Sequence, residues 1–416
     1  MESNLTEIAF HLVTQISLII FLAKLGGEIF ERFLRQPSVL GELLVGILIS
    51  PFFLGKHIKL PGFSPVFPVE HSNILGISSE LYAIAQVAVI ILLFIAGVET
   101  DISLFFRYFG PAFLIGVGGV LLPFILGDIF TIIFGFANSF IDPKALFMGA
   151  ILTATSVGIT ARILSDMEKI NTPEGVSILA AAVIDDVLGI LVLTIVVSIV
   201  ESGEVSLKGA SFIALKAFSI WFIILAVGLI VVKPLTKLLK KLKSEGAWLS
   251  IVLSLTFFSS YIAEYFGLAM IIGSYAIGLA FSTTELKEEI VKDLKGVYHF
   301  LVPIFFVVMG MLVDLSSMFR SLLFGVIITL IAILSKIVGC SIPAFIVKFN
   351  ILGATRIGVG MIPRGEVALI VAGVALARGV ISHDLYGVAI MATFITTLLA
   401  PILLVPLLRI KREGIR

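Results

Sequence analysis

Two adjacent carboxylates lie in the middle of an apolar stretch of this chain. Residues 176–200 read VSILAAAVIDDVLGILVLTIVVSIV, and Asp185 and Asp186 are the only charged residues among them. A stretch of this length spans a bilayer as a helix, and a carboxylate charged at its centre costs roughly 2.5–3.5 kcal/mol. Two carboxylates this close repel each other, so the pair favours binding protons and, after losing them, a small cation. We interpret the pair as a site at which H⁺ and a metal ion compete; a purely structural, hydrogen-bonded pair is the alternative.

Neutral oxygen atoms for such a cation are available in the preceding apolar segment. ILTATSVGITARIL contains Thr153, Thr155 and Ser156. Small hard cations prefer oxygen ligands, which include backbone carbonyl groups where a membrane helix is interrupted. Ordinary packing of hydroxyl side chains between membrane helices is the alternative interpretation of these residues.

Four further charges fall within apolar segments. Lys336, in AILSKIVGCSIPAF, is too far from either end of its segment to reach the membrane surface, and we interpret it as a counter-ion for the aspartates. Arg364 and Glu366 lie in MIPRGEVAL, and Glu99 ends LLFIAGVETD. Because paired charges cost less to bury than single ones, we expect a structural or gating ion pair between Arg364 and either Glu99 or Glu366.

The composition indicates an all-α, polytopic membrane protein. Of 416 residues, 59% are hydrophobic and 14% are charged, against about 25% charged in soluble domains. The single cysteine, Cys340, excludes an internal disulfide and a cysteine-based metal site. A net charge of +1 gives no indication of nucleic acid binding. We expect a transporter without enzymatic activity, without a resident cofactor and without a cytoplasmic nucleotide-binding domain.

Charged and Pro/Gly-rich breaks divide the chain into about thirteen apolar segments. They lie near 8–33, 37–55, 77–98, 108–134, 144–165, 175–200, 210–239, 247–265, 268–283, 298–314, 321–347, 351–378 and 386–409. Helices 1–6 and 8–13 then form two units of opposite topology, with helix 7 between them, as in many secondary transporters. Polar, glycine and proline residues interrupt helices 5 and 12, which occupy corresponding positions. Paired interruptions of this kind predict a binding site at the membrane midplane.

The distribution of basic residues in the short loops predicts the orientation in the membrane. Alternate loops contain more than twice as many Lys and Arg residues as the others, and this richer set is assigned to the cytoplasm. The N-terminus is therefore expected outside the cell and the C-terminus in the cytoplasm. The cytoplasmic set is Arg32, Arg35, Arg107, Lys169, Lys237, Lys240, Lys241, Lys243, Lys287, Lys292, Lys295, Lys348, Arg356, Arg409, Lys411, Arg412 and Arg416; the outer set is Lys56, Lys59, Lys144, Lys208, Arg320 and Arg378.

These motifs together resemble the second monovalent cation–proton antiporter family, and most closely its NapA-type sodium/proton antiporters. The motifs that carry the resemblance are RQPSVLGELLVGILISP, LLFIAGVETD, TATSVGITARIL, IDD and GMIPRGEVALI, in this order over nearly the whole chain. The resemblance implies an NhaA/NapA-like fold of thirteen helices with two crossed, unwound helices. It also implies a homodimer, with scaffold and dimerisation helices in 7–60 and 245–284, an ion-translocating core in 74–200 and 296–409, and a linker helix in 210–240.

The resemblance also implies roles for individual residues. Asp186 matches the essential ion-binding aspartate and Asp185 its paired neighbour, so that Na⁺ would bind at these two residues. Thr155 and Ser156 match the polar pair of the first unwound helix, Lys336 a lysine associated with electrogenic exchange, and Glu366 a glutamate near that lysine. Electroneutral relatives have Asn-Asp in place of this Asp-Asp pair. Where some relatives carry a serine one turn before the binding aspartate, this chain has Ala182.

We therefore expect a Na⁺/H⁺ antiporter of the cell membrane that exports Na⁺ by alternating access, electrogenically, with Li⁺ or K⁺ as further candidate substrates. Potassium/proton exchange by the same machinery is the nearer alternative. An intramembrane aspartyl protease is the more distant one. It needs two aspartates that face each other from separate helices, whereas neighbours on one helix diverge by about 100°.

Overall fold

In the computed structural model, the chain is a bundle of α-helices. The structure describes residues 5–60, 65–70, 75–202, 207–242, 244, 246–318 and 321–416. The helices are α1 Leu5–Ile29, α2 Ser38–Leu48, α3 Ser79–Glu99, α4 Ile102–Ile133, α5 Pro143–Thr153, α6 Val157–Asp166, α7 Pro173–Ser202, α8 Leu207–Leu239, α9 Ala247–Tyr265, α10 Met270–Phe281, α11 Lys287–Met311, α12 Leu315–Met318, α13 Leu322–Ile346, α14 Ile351–Gly360, α15 Glu366–Ala377 and α16 His383–Arg409.

The predicted class, an α-helical polytopic membrane protein, is confirmed. Ten helical segments within these described ranges are long and apolar enough to cross a bilayer, and four shorter apolar helices accompany them. The extended pairing found in the same ranges is one isolated bridge, between Phe349 and Ile415. The count of thirteen crossings and the division into core, scaffold and linker remain predictions. Of the residues used to predict the orientation, Lys243 and Arg320 lie outside the described residues.

Local signals in the sequence account for several helix starts. The Ser78 hydroxyl accepts a hydrogen bond from the Leu81 backbone NH at the start of α3. The Asp101 carboxylate caps α4 in the same way, and Ser382 caps α16. Such caps satisfy backbone NH groups that have no partner within the helix. The length of the apolar segments therefore determines where the helices form, and capping residues determine where several of them begin.

Both interruptions predicted from the sequence are present. Helix α5 ends at Thr153 and α6 begins at Val157, with residues 154–156 in a non-helical conformation. Helix α14 ends at Gly360 and α15 begins at Glu366, with residues 361–365 non-helical. Within a membrane, such backbone is tolerated only where its polar groups find partners in protein or in a cavity.

The two interruptions supply partners for each other. The Ser156 backbone NH donates to the Pro363 carbonyl oxygen at 2.7 Å, and the Thr160 hydroxyl donates to the Gly360 carbonyl oxygen at 2.6 Å. The Thr155 hydroxyl lies 3.5 Å from the Met361 carbonyl oxygen. The non-helical stretches therefore contact each other directly, as expected for a pair of crossed, unwound helices.

Glycine pairs bring further helices into close contact. Gly46 of α2 packs on Gly310 of α11; a Cβ atom on Gly46 would lie 2.0 Å from the Val307 carbonyl oxygen. Gly97 of α3 packs on Gly278 of α10 in the same way. In the predicted repeat, α2 corresponds to α10 and α3 to α11, so the two contacts occupy equivalent places. Small residues at such crossings are typical of membrane helices.

Candidate functional site

Helix α7 carries both aspartates and gives them different surroundings. Asp185 and Asp186 lie in an uninterrupted α-helix from Pro173 to Ser202. Neighbouring side chains on a helix point about 100° apart. The Asp185 carboxylate accordingly faces α13, whereas Asp186 lines a cavity at the two interruptions. The two aspartates are therefore placed for separate tasks.

Lys336 of α13 is the partner of Asp185. Its ammonium lies 2.7 Å from Asp185 Oδ1 and donates at 2.7 Å to each of two carbonyl oxygens, those of Gly119 and Thr153. The Lys336 side chain is fully buried and Asp185 is almost so. Because an ammonium has three protons, all of its donors are used. The lysine thus connects α7 and α4 to the end of α5, at the first interruption.

Asp186 lines a small cavity together with both hydroxyl residues of the first interruption. Thr155, Ser156 and Asp186 border it together with Glu366, the first residue of α15. Its volume of about 10 Å³ accommodates roughly one water-sized particle, and so an ion without its full hydration shell. The cavity brings carboxylate and hydroxyl oxygens together, which are suitable ligands for a small hard cation.

Glu366 is the cavity residue that we considered, from the sequence, as a partner of Arg364 rather than as part of the ion site. Its Oε2 atom is buried and has no hydrogen-bond partner within the part of the chain that the structure describes. Its position directly after the second interruption is the signal that could have indicated it, because residues at both interruptions meet. Gly119 was also missed; its contribution is a carbonyl oxygen, which no side-chain pattern reveals.

The predicted ion pair of Arg364 with Glu99 or Glu366 was wrong. Arg364 is fully buried, but in the described part of the chain its guanidinium donates to carbonyl oxygens, at 2.7 Å to Leu152 and at 3.2 Å to Ala332. Leu152 lies in the last turn of α5, where the helix dipole concentrates negative charge. A helix end therefore takes the place of a carboxylate.

Glu99 has other partners at the end of α3. The Ser165 hydroxyl donates to Glu99 Oε2 at 2.9 Å, and the Lys287 ammonium donates to the Glu99 backbone carbonyl oxygen at 3.2 Å. These contacts connect α3 with the end of α6 and the start of α11. Glu99 is therefore remote from the cavity that Asp186 lines.

Interrupted helices that contact each other beside buried carboxylates define a class: the secondary transporters of small ions. Comparison with known families shows to which family of this class the chain belongs. Residues 17–410 match the family described as "Sodium/hydrogen exchanger, transmembrane", and the chain belongs to that family.

Several characterised relatives cover nearly the whole chain. The chain is 33% identical to the Na⁺/H⁺-K⁺ antiporter GerN of Bacillus cereus, over 94% of this chain and 95% of GerN. It is 35% identical to the high-affinity Na⁺/H⁺ antiporter NhaS3 of Synechocystis sp., over 95% of this chain and 88% of NhaS3. A Na⁺/H⁺ antiporter of Enterococcus hirae is 32% identical, with coverage of 93% and 95%.

The fold also matches a solved structure. The sodium proton antiporter MjNhaP1 of Methanocaldococcus jannaschii superposes with a TM-score of 0.68 at 19% identity, over 95% of this chain and 96% of that one. The similarity to the monovalent cation–proton antiporters that the sequence motifs indicated is thereby confirmed. A family of ion transporters leaves the protease alternative without support.

Proposed function

We propose that this protein exchanges Na⁺ for H⁺ across the cell membrane by alternating access, and that Asp186 binds both ions in turn. The observation that carries the proposal is the cavity that Asp186, Thr155 and Ser156 line at the contact between the two interrupted helices. A carboxylate at this place binds either a proton or a cation. Exchange follows if the site moves from one face of the membrane to the other only when a proton or a cation occupies it.

The cycle uses the proton gradient across the membrane to export Na⁺. On the cytoplasmic side, deprotonated Asp186 binds Na⁺, and the hydroxyl oxygens of Thr155 and Ser156 complete part of its shell. The core then moves against the scaffold, Na⁺ leaves outside, and a proton from outside takes its place. Glu366 faces the same cavity and contributes a second negative charge or, when protonated, a hydrogen-bond donor.

Asp185 and Lys336 provide a second proton to the transport cycle. Their contact compensates the two opposite charges that α7 and α13 bury. If the arriving Na⁺ attracts Asp185, Lys336 loses its partner and its proton leaves as well. Two protons then move for each Na⁺, and transport is electrogenic.

Potassium/proton exchange by the same site is the second candidate. The observation that favours it is the relative GerN, which is named a Na⁺/H⁺-K⁺ antiporter. Selection between Na⁺, Li⁺ and K⁺ then depends on how closely the cavity walls approach the ion. Val89, Val157, Ile271 and Val367 form the apolar part of these walls.

Orientation and assembly follow the same proposal. The N-terminus lies outside and the C-terminus in the cytoplasm, in agreement with the excess of basic residues in one set of loops. The outward face of α1, with Phe10, Val13 and Phe21 exposed, meets lipid or a second copy of the chain. We place the homodimer contact on the scaffold helices, so that the core remains free to move.

Ion movement in liposomes tests the proposal. The purified protein is reconstituted with an acidic lumen and a lumenal pH dye, and Na⁺, Li⁺ or K⁺ is added outside. Alkalinisation of the lumen by Na⁺, abolished in Asp186→Asn, supports Na⁺/H⁺ exchange through this site. A response to K⁺ alone supports the second candidate. No response to any cation, from protein that is folded and inserted, contradicts antiport.

A further inference from the structure

A second group of buried charges joins α2 to α6, apart from the ion site. Ser38 and Glu42 lie one turn apart on α2, and Arg162 and Asp166 lie one turn apart on α6. Arg162 Nη2 lies 3.4 Å from Ser38 Oγ, and Arg162 Nε lies 2.7 Å from Asp166 Oδ2. Glu42 and Arg162 are both almost completely buried.

Tyr298 of α11 completes this group. The Arg162 guanidinium lies over its ring, 5.0 Å from the centroid, at a distance typical of a cation–π contact. The Glu42 carboxylate, one turn after Ser38 on α2, is attracted by Arg162 but is not in direct contact with it. One guanidinium of α6 is therefore in contact with α2 and α11 at the same time.

The hydrogen bonding of the group is incomplete. Glu42 Oε2, Arg162 Nη1 and Tyr298 Oη are buried and have no hydrogen-bond partner among the residues the structure describes. The buried pair of Glu174 and Arg356 differs: its atoms lie 2.6 Å apart, and the guanidinium also donates to the carbonyl oxygens of Leu407, Ile410 and Arg412. Separating a fully bonded buried pair is costly, whereas a partly bonded group gains hydration when it opens.

The group lies between the ion site and the cytoplasm. Arg162 follows the start of α6 by five residues, about 7.5 Å along the helix from the first interruption. The chain before α2 contains Arg32 and Arg35, and the chain after α6 contains Lys169, which the basic-residue bias assigns to the cytoplasm. In the predicted division, α2 belongs to the scaffold and α6 to the core.

We propose that Ser38, Glu42 and Arg162 form a latch that closes the cytoplasmic side of the core–scaffold contact and opens in every transport cycle. The latch rests on the proposed alternating access, because only movement of the core against the scaffold separates α6 from α2. Its residues position the helices and do not touch the transported ion. The incomplete bonding keeps the closed state from becoming too stable to leave.

Thiol labelling from the cytoplasmic face tests the latch without requiring transport. Ile159 is buried and, with Leu43 of α2, lines a narrow cavity that α11, α15 and α16 also border. A cysteine at this position, in a Cys340→Ala background, reports opening when an impermeant thiol reagent is supplied on the cytoplasmic side only. Glu42→Gln is expected to raise the labelling rate by up to about tenfold, because it removes the buried negative charge that attracts Arg162 towards α2.

Glu174→Gln is the matched control, because it makes the same change at a buried pair that joins two predicted core helices. Its labelling rate is expected to stay near that of the parent. Arg162→Gln should raise labelling at least as much as Glu42→Gln does, because it removes both this attraction and the hydrogen bond to Ser38, and the double variant should add little more. Ser38→Ala, which changes no charge, should act in the same direction by a smaller factor.

Unchanged labelling in folded Glu42→Gln and Ser38→Ala would overturn the latch, as would an equal rise in Glu174→Gln. Size-exclusion elution and the unfolding temperature establish that each variant is folded. The result is independent of the proposed antiport. If transport is absent but labelling responds, the latch stands; if transport is present but labelling does not respond, only the latch fails.

Discussion

The Lys336 ammonium lies 2.7 Å from Asp185 Oδ1, while Asp186, the next residue in the chain, lines the cavity between the interrupted helices. One turn of α7 thus holds a carboxylate that is already paired beside one that is open to an ion. The arrangement separates charge compensation from ion binding. It explains why a membrane helix retains two aspartates in spite of the cost of burying them.

The first prediction concerns the stability of the Asp185–Lys336 pair. Lys336→Gln leaves Asp185 buried without its counter-ion, and removing one partner of a buried pair costs about 3–5 kcal/mol in the free energy of unfolding. Adding Asp185→Asn should restore part of this loss, because the uncompensated charge is then gone. Thermal unfolding in detergent measures both. Equal stability of Lys336→Gln and the parent would show that the pair is not intact in solution.

The second prediction concerns the wall of the ion cavity. A Cβ atom at Gly365 would lie 2.9 Å from Ser156 Oγ, so Gly365→Ala displaces the hydroxyl from its place beside Asp186. We expect up to about a tenfold higher Na⁺ concentration for half-maximal exchange, the equivalent of one weakened neutral contact, with the fold retained.

Gly110→Ala is the control for this substitution. A Cβ atom at Gly110 of α4 meets nothing within 4 Å among the described residues, so the change affects only helix propensity. Its Na⁺ dependence should equal that of the parent. If Gly365→Ala also leaves the Na⁺ dependence unchanged, Ser156 is not an ion ligand.

The third prediction concerns Arg364. Arg364→Lys retains the charge but loses the planar fork that reaches the carbonyl oxygens of Leu152 and Ala332. Each charge-assisted hydrogen bond lost costs about 1.5–3 kcal/mol, so the unfolding temperature should fall clearly. Arg107→Lys, at an exposed residue of α4, serves as the control and should unfold like the parent. A stable Arg364→Lys protein would mean that the carbonyl oxygens find other donors.

The fourth prediction concerns pH. If H⁺ and Na⁺ compete for Asp186, lowering the pH raises the Na⁺ concentration needed for half-maximal exchange, by about tenfold per pH unit for each proton displaced once the site is mostly protonated. The maximal rate at saturating Na⁺ should change much less. Transport assays at several pH values, with equal pH on both sides at the start, measure both quantities. A half-saturating concentration that is independent of pH would indicate separate sites.

The sequence was most informative where the membrane makes polar residues conspicuous. The helical class, both interruptions and the special position of Asp185 and Asp186 could be predicted because a bilayer penalises charge and unpaired backbone groups. The contact between the interruptions was expected from the resemblance to the antiporter family, which implies two crossed, unwound helices.

Backbone contacts could not be predicted in this way. Arg364 was expected to pair with a carboxylate, but its guanidinium donates to the carbonyl oxygens of Leu152 and Ala332, which leave no trace in the residue types. Gly119 likewise contributes only its carbonyl oxygen to Lys336. Glu366 was considered as one of two possible partners of Arg364, whereas its side chain lines the ion cavity.

Proton release on cation binding tests the central claim most directly, that one carboxylate binds H⁺ and Na⁺ in turn. Purified protein in weakly buffered detergent solution, at a pH where the site is protonated, receives Na⁺ while a pH indicator records released protons. We predict saturable proton release from the parent protein and none from Asp186→Asn. Saturable Na⁺ binding to the parent with no proton release, or unchanged release from folded Asp186→Asn, would contradict the account.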